Sequence, residues 1–77
     1  MQLCSIVTGG AQGIGRAIVD ALLARGDAVA VFDCAPSDSA AALELVALGC
    51  HYISVDVASA QSVTAGFTQL QARALQP

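Results

Sequence analysis

The chain contains no lysine and no tryptophan, and its positive charge is confined to Arg16, Arg25 and Arg73. Three basic side chains, set against a net charge of −3, form no stripe able to neutralise a phosphate backbone, so no nucleic-acid partner is expected. Long apolar runs are also lacking: Gly, Asp and Arg interrupt every stretch well short of the roughly 20 residues a membrane span needs. Met1 is followed by neither a charged region nor a long apolar one, so no secretory signal is expected and the cytoplasm is the expected compartment. Cysteine is sparse. Cys4, Cys34 and Cys50 are an odd number at no metal-ligand spacing, which argues against a disulfide framework and a metal centre. They read as small apolar fillers in a reducing compartment. His51 stands alone, without a second ligand nearby, and reads as a surface or turn residue.

Charged residues make up only 12% of the chain and hydrophobic residues 56%, an apolar excess for so small a unit. Strands buried on both faces give continuous apolar runs, so this composition fits segments of a parallel sheet belonging to something larger. At 77 residues the chain is one domain at most. A chain this short buries a modest fraction of its surface and is marginal alone.

What is present is a glycine-rich turn, Thr8-Gly9-Gly10-Ala11-Gln12-Gly13-Ile14-Gly15, between the apolar run Leu3 to Val7 and a helical pattern. A turn of this kind brings backbone close to a phosphate, because glycine has no Cβ to clash. The helix behind it offers unpaired N–H groups and the positive end of its dipole. Asp33 lies eighteen residues after Gly15, at the end of a second apolar run, Ala28 to Phe32. An acidic residue about 20 residues beyond such glycines is suited to the ribose hydroxyls of a dinucleotide. It is also a turn former ahead of Pro36. A third apolar run, Tyr52 to Val55, ends in Asp56-Val57. Asp56 has two readings: its carboxylate accepts from an adenine amino group while the next N–H donates to the ring, or it starts the helix that Ser59 caps.

The order is strand, helix, strand, helix, strand, helix. Ile14, Ala17, Ile18, Ala21 and Leu22 recur at helical spacing and predict the buried stripe of the first helix, which Gly26 ends. A loop over Pro36-Ser37-Asp38-Ser39 caps a second helix over Ala40 to Leu48, and Gly49 terminates it. A strand over His51 to Val55 leads to a last helix, capped by Ser59, with Val63, Phe67, Leu70 and Ala74 as its inner face. Right-handed crossovers predict the strand order 3-2-1, with the first two helices on one face and the third on the other. The fold expected is α/β, a partial Rossmann fold (βαβαβα) whose doubly wound parallel sheet is truncated before its fourth strand. The edge of the first strand is then open to self-association.

These motifs together resemble the short-chain dehydrogenase/reductase family over essentially the whole chain, Gln2 to about Leu70. Thr8-Gly9-x-x-x-Gly13-Ile14-Gly15-Arg16-Ala17-Ile18 is similar to that family's cofactor turn, Asp33 to its specificity position, and Asp56-Val57 to its adenine-contacting pair. Gln at position 12 departs from the Gly-x-x-Gly-x-x-Gly of the extended branch. The resemblance implies a nicotinamide cofactor held by Gly9, Gln12, Gly13, Ile14, Asp33, Asp56 and Val57. A carboxylate at position 33, with no Arg or Lys at 12, 34 or 35, favours NAD over NADP. Residues 1–77 would form the N-terminal half of an NAD(P)-binding Rossmann domain.

The family's Ser, its Tyr-x-x-x-Lys pair and its Asn-Asn-Ala-Gly turn have no counterpart here. Tyr52 is the chain's one tyrosine, and it is followed four residues on by Asp56 rather than by a lysine that would lower its pKa. No catalytic residue is assigned. The expected function is NAD-dependent hydride transfer between an alcohol or carbonyl and nicotinamide, with this chain supplying the cofactor half and being inactive by itself. The alternatives are a non-catalytic dinucleotide-binding fragment, the product of a truncated gene, and a methyltransferase-like nucleotide fold.

Overall fold

The computed structural model describes residues 2–77. In chain order the elements are β1 (Gln2–Leu3), β2 (Ser5–Thr8), α1 (Gly13–Ala24), β3 (Val29–Asp33), α2 (Ala40–Ala47), β4 (His51–Ser54), α3 (Ala60–Ala72) and β5 (Leu75–Gln76). A parallel sheet runs in the order β2-β3-β4, which is the 3-2-1 arrangement expected from the handedness of its crossovers. Ile6 stands opposite Ala30, and Val31 opposite Tyr52.

Alternation along the strands splits the core in two. Val7, Val29, Val31 and Tyr52 turn to one face and pack with Val19 of α1 and with Ala42 and Leu45 of α2. Ala30, Phe32, Ile53 and Val55 turn to the other and pack with Leu70 of α3 and with Leu75. Period-two side chains on a sheet covered on both sides give strands that are apolar throughout, which is why β3 reads as a continuous run.

Helix boundaries follow local chemistry. The hydroxyls of Ser39 and Ser59 accept from the N–H groups of Ala42 and Ser62, so α2 and α3 begin with side-chain caps. At the other end, Asp27 N–H donates to the Leu22 carbonyl and Cys50 N–H to that of Leu45, closing α1 and α2 just past Gly26 and Gly49. His51 is the half-buried first residue of β4 rather than a turn residue, since the ladder with Ala30 takes up its backbone.

Three expectations need correction. The edge of the first strand is not open along its whole length: in a separate two-stranded ladder, Leu75–Gln76 pairs in parallel with Gln2–Leu3, on the side of the first strand away from β3. Gln2 N–H donates to the Ala74 carbonyl at 2.9 Å and Cys4 N–H to that of Gln76 at 2.8 Å. The open edge is thereby reduced to β2, which among the described residues pairs with β3 alone. Ala74 is no part of the inner face of α3. It adopts φ 59°, and the chain turns there from helix into β5.

The third correction concerns α1. Its inward stripe is Gly15, Val19, Leu22 and Leu23, whereas Ala17 and Ala21 are exposed and Ile14 and Ile18 are 83% and 47% exposed. The rotation is set at the helix start. A Cβ on Gly15 would fall inside van der Waals contact of the Gly9 carbonyl oxygen, so glycine at 15 is what lets this face of the helix close on the turn, and Val19 follows it one turn later onto the sheet.

Candidate functional site

Parallel pairing carries the residues that follow β2, β3 and β4 to the same edge of the sheet. That edge holds a pocket of about 260 Å³ lined by Gly9, Phe32, Asp33, Cys34, Val55, Asp56 and Val57. A larger, more open depression of about 570 Å³ lies at the opposite end of the strands, around Gln2, Arg25, Asp27 and Pro77. Its one guanidinium is already committed, with Arg25 bonded to Asp27, and the smaller pocket is the one that meets the glycine-rich turn.

The turn is built from both its ends. Gly9 has φ 67° and Gly13 φ 63°, a region that side chains other than glycine enter at a cost. At neither would a Cβ meet any atom within 4 Å, so the backbone is bare toward open space. Gly9 N–H continues the ladder to the Phe32 carbonyl at 2.8 Å. Gln12 takes the N-cap position of α1 with extended backbone, and its side chain makes no capping bond. The first-turn N–H groups of α1, beginning with Gly13, Ile14 and Gly15, have no carbonyl one turn earlier to bond. No acidic side chain lies in that first turn, so nothing in it opposes the dipole's attraction for an anion.

Asp33 ends β3 on the face that carries Val29 and Val31, which is the α1 side. Its Oδ2 accepts from Ala11 N–H at 3.1 Å, joining strand end to turn. Asp56 Oδ1 accepts from Ala58 N–H at 3.0 Å, and the Asp56 N–H donates to Ser62 Oγ at 2.8 Å. Asp56 therefore helps to start α3, as one of its two readings required, while it also lines the pocket. Val57 is exposed at the mouth. Phe32 and Val55 supply apolar wall, and Phe67 of α3 meets the Phe32 ring edge-on at 5.4 Å. Pyrophosphate-sized anion, sugar and flat apolar ring would each find suitable chemistry along this edge.

Sequence reasoning missed three contributors. Ala11 acts through its backbone, so no residue type announces it. Phe32 reads in the sequence only as the last residue of an apolar run, and it also lines the pocket. Tyr52 lies in β4, and its hydroxyl donates to the Ala35 carbonyl at 2.6 Å, holding the loop that leaves Asp33. Burial first, and then the negative charge of Asp33 and Cys34, push the Tyr52 phenol above its ordinary value. Burial likewise raises the thiols of Cys4 and Cys50, while Cys34 is exposed at the pocket. Arg16, which sits within the turn motif, is bonded instead to Asp20 and, across to α2, to Glu44 at 2.8 Å. No group of three or more His, Cys, Asp or Glu arranged to hold a metal occurs among the described residues. No helix among them is long and apolar enough to cross a membrane.

Comparison with known proteins agrees with this architecture. A family model described as short chain dehydrogenase matches residues 4–76. The 2-dehydro-3-deoxy-L-rhamnonate dehydrogenase (NAD(+)) of Sphingomonas sp. (strain SKA58) is 37% identical over 62 residues, covering 80% of this chain and 24% of that protein. The solved structure of a 4-hydroxyisoleucine dehydrogenase complexed with NADH matches with a TM-score of 0.77 at 19% identity, over 100% of this chain and 31% of that one. The second likeness is one of fold. This chain spans about a quarter of the length of the curated relative and about a third of the solved one.

Proposed function

Because this chain belongs to the short-chain dehydrogenase family, we propose that residues 1–77 are the N-terminal, NAD-binding part of an oxidoreductase moving hydride between an alcohol or carbonyl and a nicotinamide cofactor. The observation that carries this reading is the convergence of Gly9, Asp33, Asp56 and Val57 on one pocket, with Gly9 opening the turn that leads to the start of α1, where no side chain caps the helix. In this assignment the diphosphate lies against the bare backbone at Gly9, Gln12 and Gly13 and the first-turn N–H groups of Gly13 and Ile14. Asp33 accepts from a ribose hydroxyl, and its charge disfavours a 2′-phosphate. No cation stands at position 12, 34 or 35 to offset that charge, hence NAD rather than NADP. The relatives named for NAD(+) and NADH support a nicotinamide cofactor. The adenine lies between the apolar walls of Phe32 and Val55, with Asp56 and the Val57 backbone at its edge.

Once bound, the nicotinamide supplies the hydride acceptor or donor. The residues of this chain bind and orient, and none of them is assigned the proton. The Tyr52 hydroxyl is engaged by a backbone carbonyl and has no lysine beside it, so the 77-residue chain is proposed to bind without turnover. Free cysteines, two of them buried, suit a reducing compartment such as the cytoplasm. The outer edge of β2 offers unpaired backbone groups, and self-association through it is expected to appear as concentration-dependent light scattering.

The test is NAD titration against Gly13→Asp. Aspartate tolerates φ > 0 comparatively well, so folding should cost only about 1 kcal/mol. A carboxylate at the anion site should weaken NAD by about tenfold or more. Unchanged affinity in the folded variant would remove the assignment, and a preference for S-adenosylmethionine over NAD would return the methyltransferase reading.

A further inference from the structure

The glycine-rich turn has a left-handed residue at each end, where Gly9 and Gly13 hold positive φ and neither has a neighbour that a Cβ would touch. Between them Gly10 is buried against Val31 and Val19, and the tip is joined to the sheet by one side-chain bond, from Ala11 N–H to Asp33 Oδ2 at 3.1 Å, across 22 residues of sequence. The acceptor is a carboxylate, which bonds an N–H more strongly than a neutral oxygen does. Without it the partly buried Ala11 N–H would lose the acceptor that the structure gives it. Ala11 also packs against the core beneath α1, so the bond and the packing hold the tip in one place.

We infer that Asp33 is a positioning residue for the glycine-rich turn: its Oδ2 clamps Ala11 in the chain without cofactor, so one carboxylate both preforms the phosphate cradle and meets the ribose. This rests on the nucleotide-binding assignment above and extends it. Replacing Asp33 to admit a different ribose would then also loosen the turn, unless the new side chain still accepted from Ala11. Asparagine can do so. Alanine cannot.

The experiment compares Asp33→Asn and Asp33→Ala in the full 77-residue chain. Both remove the charge, and only the asparagine keeps the acceptor. Exchange of the Ala11 amide is followed by NMR, with the β4 amides as folding control, and binding is measured for ADP and for 2′,3′-dideoxy-ADP, which has no ribose hydroxyls for the carboxylate to meet. The Ala11 amide should stay protected in the wild type and in Asp33→Asn and lose protection in Asp33→Ala. Dideoxy-ADP should bind Asp33→Ala about fivefold more weakly than Asp33→Asn, the effect of one neutral hydrogen bond. If Asp33→Ala does not fold, Asp33→Ser, whose hydroxyl is one bond shorter, takes its place in the same comparison. Equal Ala11 protection in the two variants, or equal dideoxy-ADP affinity, overturns the clamp. Failure of the wild type to bind ADP at all overturns the nucleotide assignment instead, and Ala11 exchange still decides the clamp.

Discussion

Gly15 shows how much one missing methyl group decides. Its Cα faces the Gly9 carbonyl so closely that a Cβ there would collide with backbone, which cannot move aside as a flexible side-chain end can. Gly15→Ala is therefore expected to destabilise the chain by about 1–3 kcal/mol, as overpacking does. It should also widen the turn, which NMR shifts of Gly9 and Ala11 would report alongside urea unfolding. Arg16, the next residue, contrasts with it. Its ion pairs with Asp20 and Glu44 are exposed, and pairs of that kind contribute little. Buried Phe32 and exposed Cys34 flank Asp33, so the chain places its carboxylate where the apolar strand meets water.

At the scale of elements, β4 supports the pocket indirectly, because the Tyr52 hydroxyl ties down the loop after β3 at Ala35. Tyr52→Phe should cost about 1 kcal/mol in denaturant unfolding, the net value of one such bond. The phenol's raised pKa sets the sign of the pH dependence. The folded state holds the proton more tightly than the unfolded one, so this contribution is fully present below about pH 10, the unperturbed tyrosine value, and fades as pH rises through the folded pKa. Cys4 and Cys50, also raised by burial, add an alkaline loss of the same sign from about pH 8.5 upward. Wild-type unfolding curves should thus weaken across this range, and Tyr52→Phe should show a shallower fall above about pH 10. A stability profile that rises toward high pH would contradict the assignment. Helix α1 carries two apolar stripes, and the one bearing Ile14 and Ile18 remains exposed. Of the periodic set Ile14, Ala17, Ile18, Ala21 and Leu22, only Leu22 belongs to the stripe that packs on the core. The bare Cα of Gly15 is what allows the buried stripe to close on the Gly9 backbone.

For the whole molecule, closure depends on the two ends meeting. Leu75, 2% exposed, packs with Cys4, Ala30, Phe32 and Leu70, so the last strand completes the core beneath α3. Leu75→Ala should cost about 2–5 kcal/mol, the range for emptying a buried leucine site. In a chain this small that is a large part of total stability, and loss of cooperative thermal unfolding would register it. If the variant unfolds like the wild type, β5 is no part of the folded unit. The 3-2-1 order and the division of helices between faces were legible beforehand, because parallel strands joined by short crossovers have one allowed hand.

The sequence by itself determined the alternation of strands and helices, the glycine turn, and the placement of Asp33 and Asp56 at strand ends, because each is a pattern among residues near in the chain. Only the tertiary structure decided which face of α1 is buried, that Gln2–Leu3 pairs with Leu75–Gln76, and that Asp33 holds Ala11. Two-residue strands are too short to show a period, and a backbone N–H has no letter of its own. Such contacts join residues far apart in sequence, and they come into being only when the sheet brings their elements together.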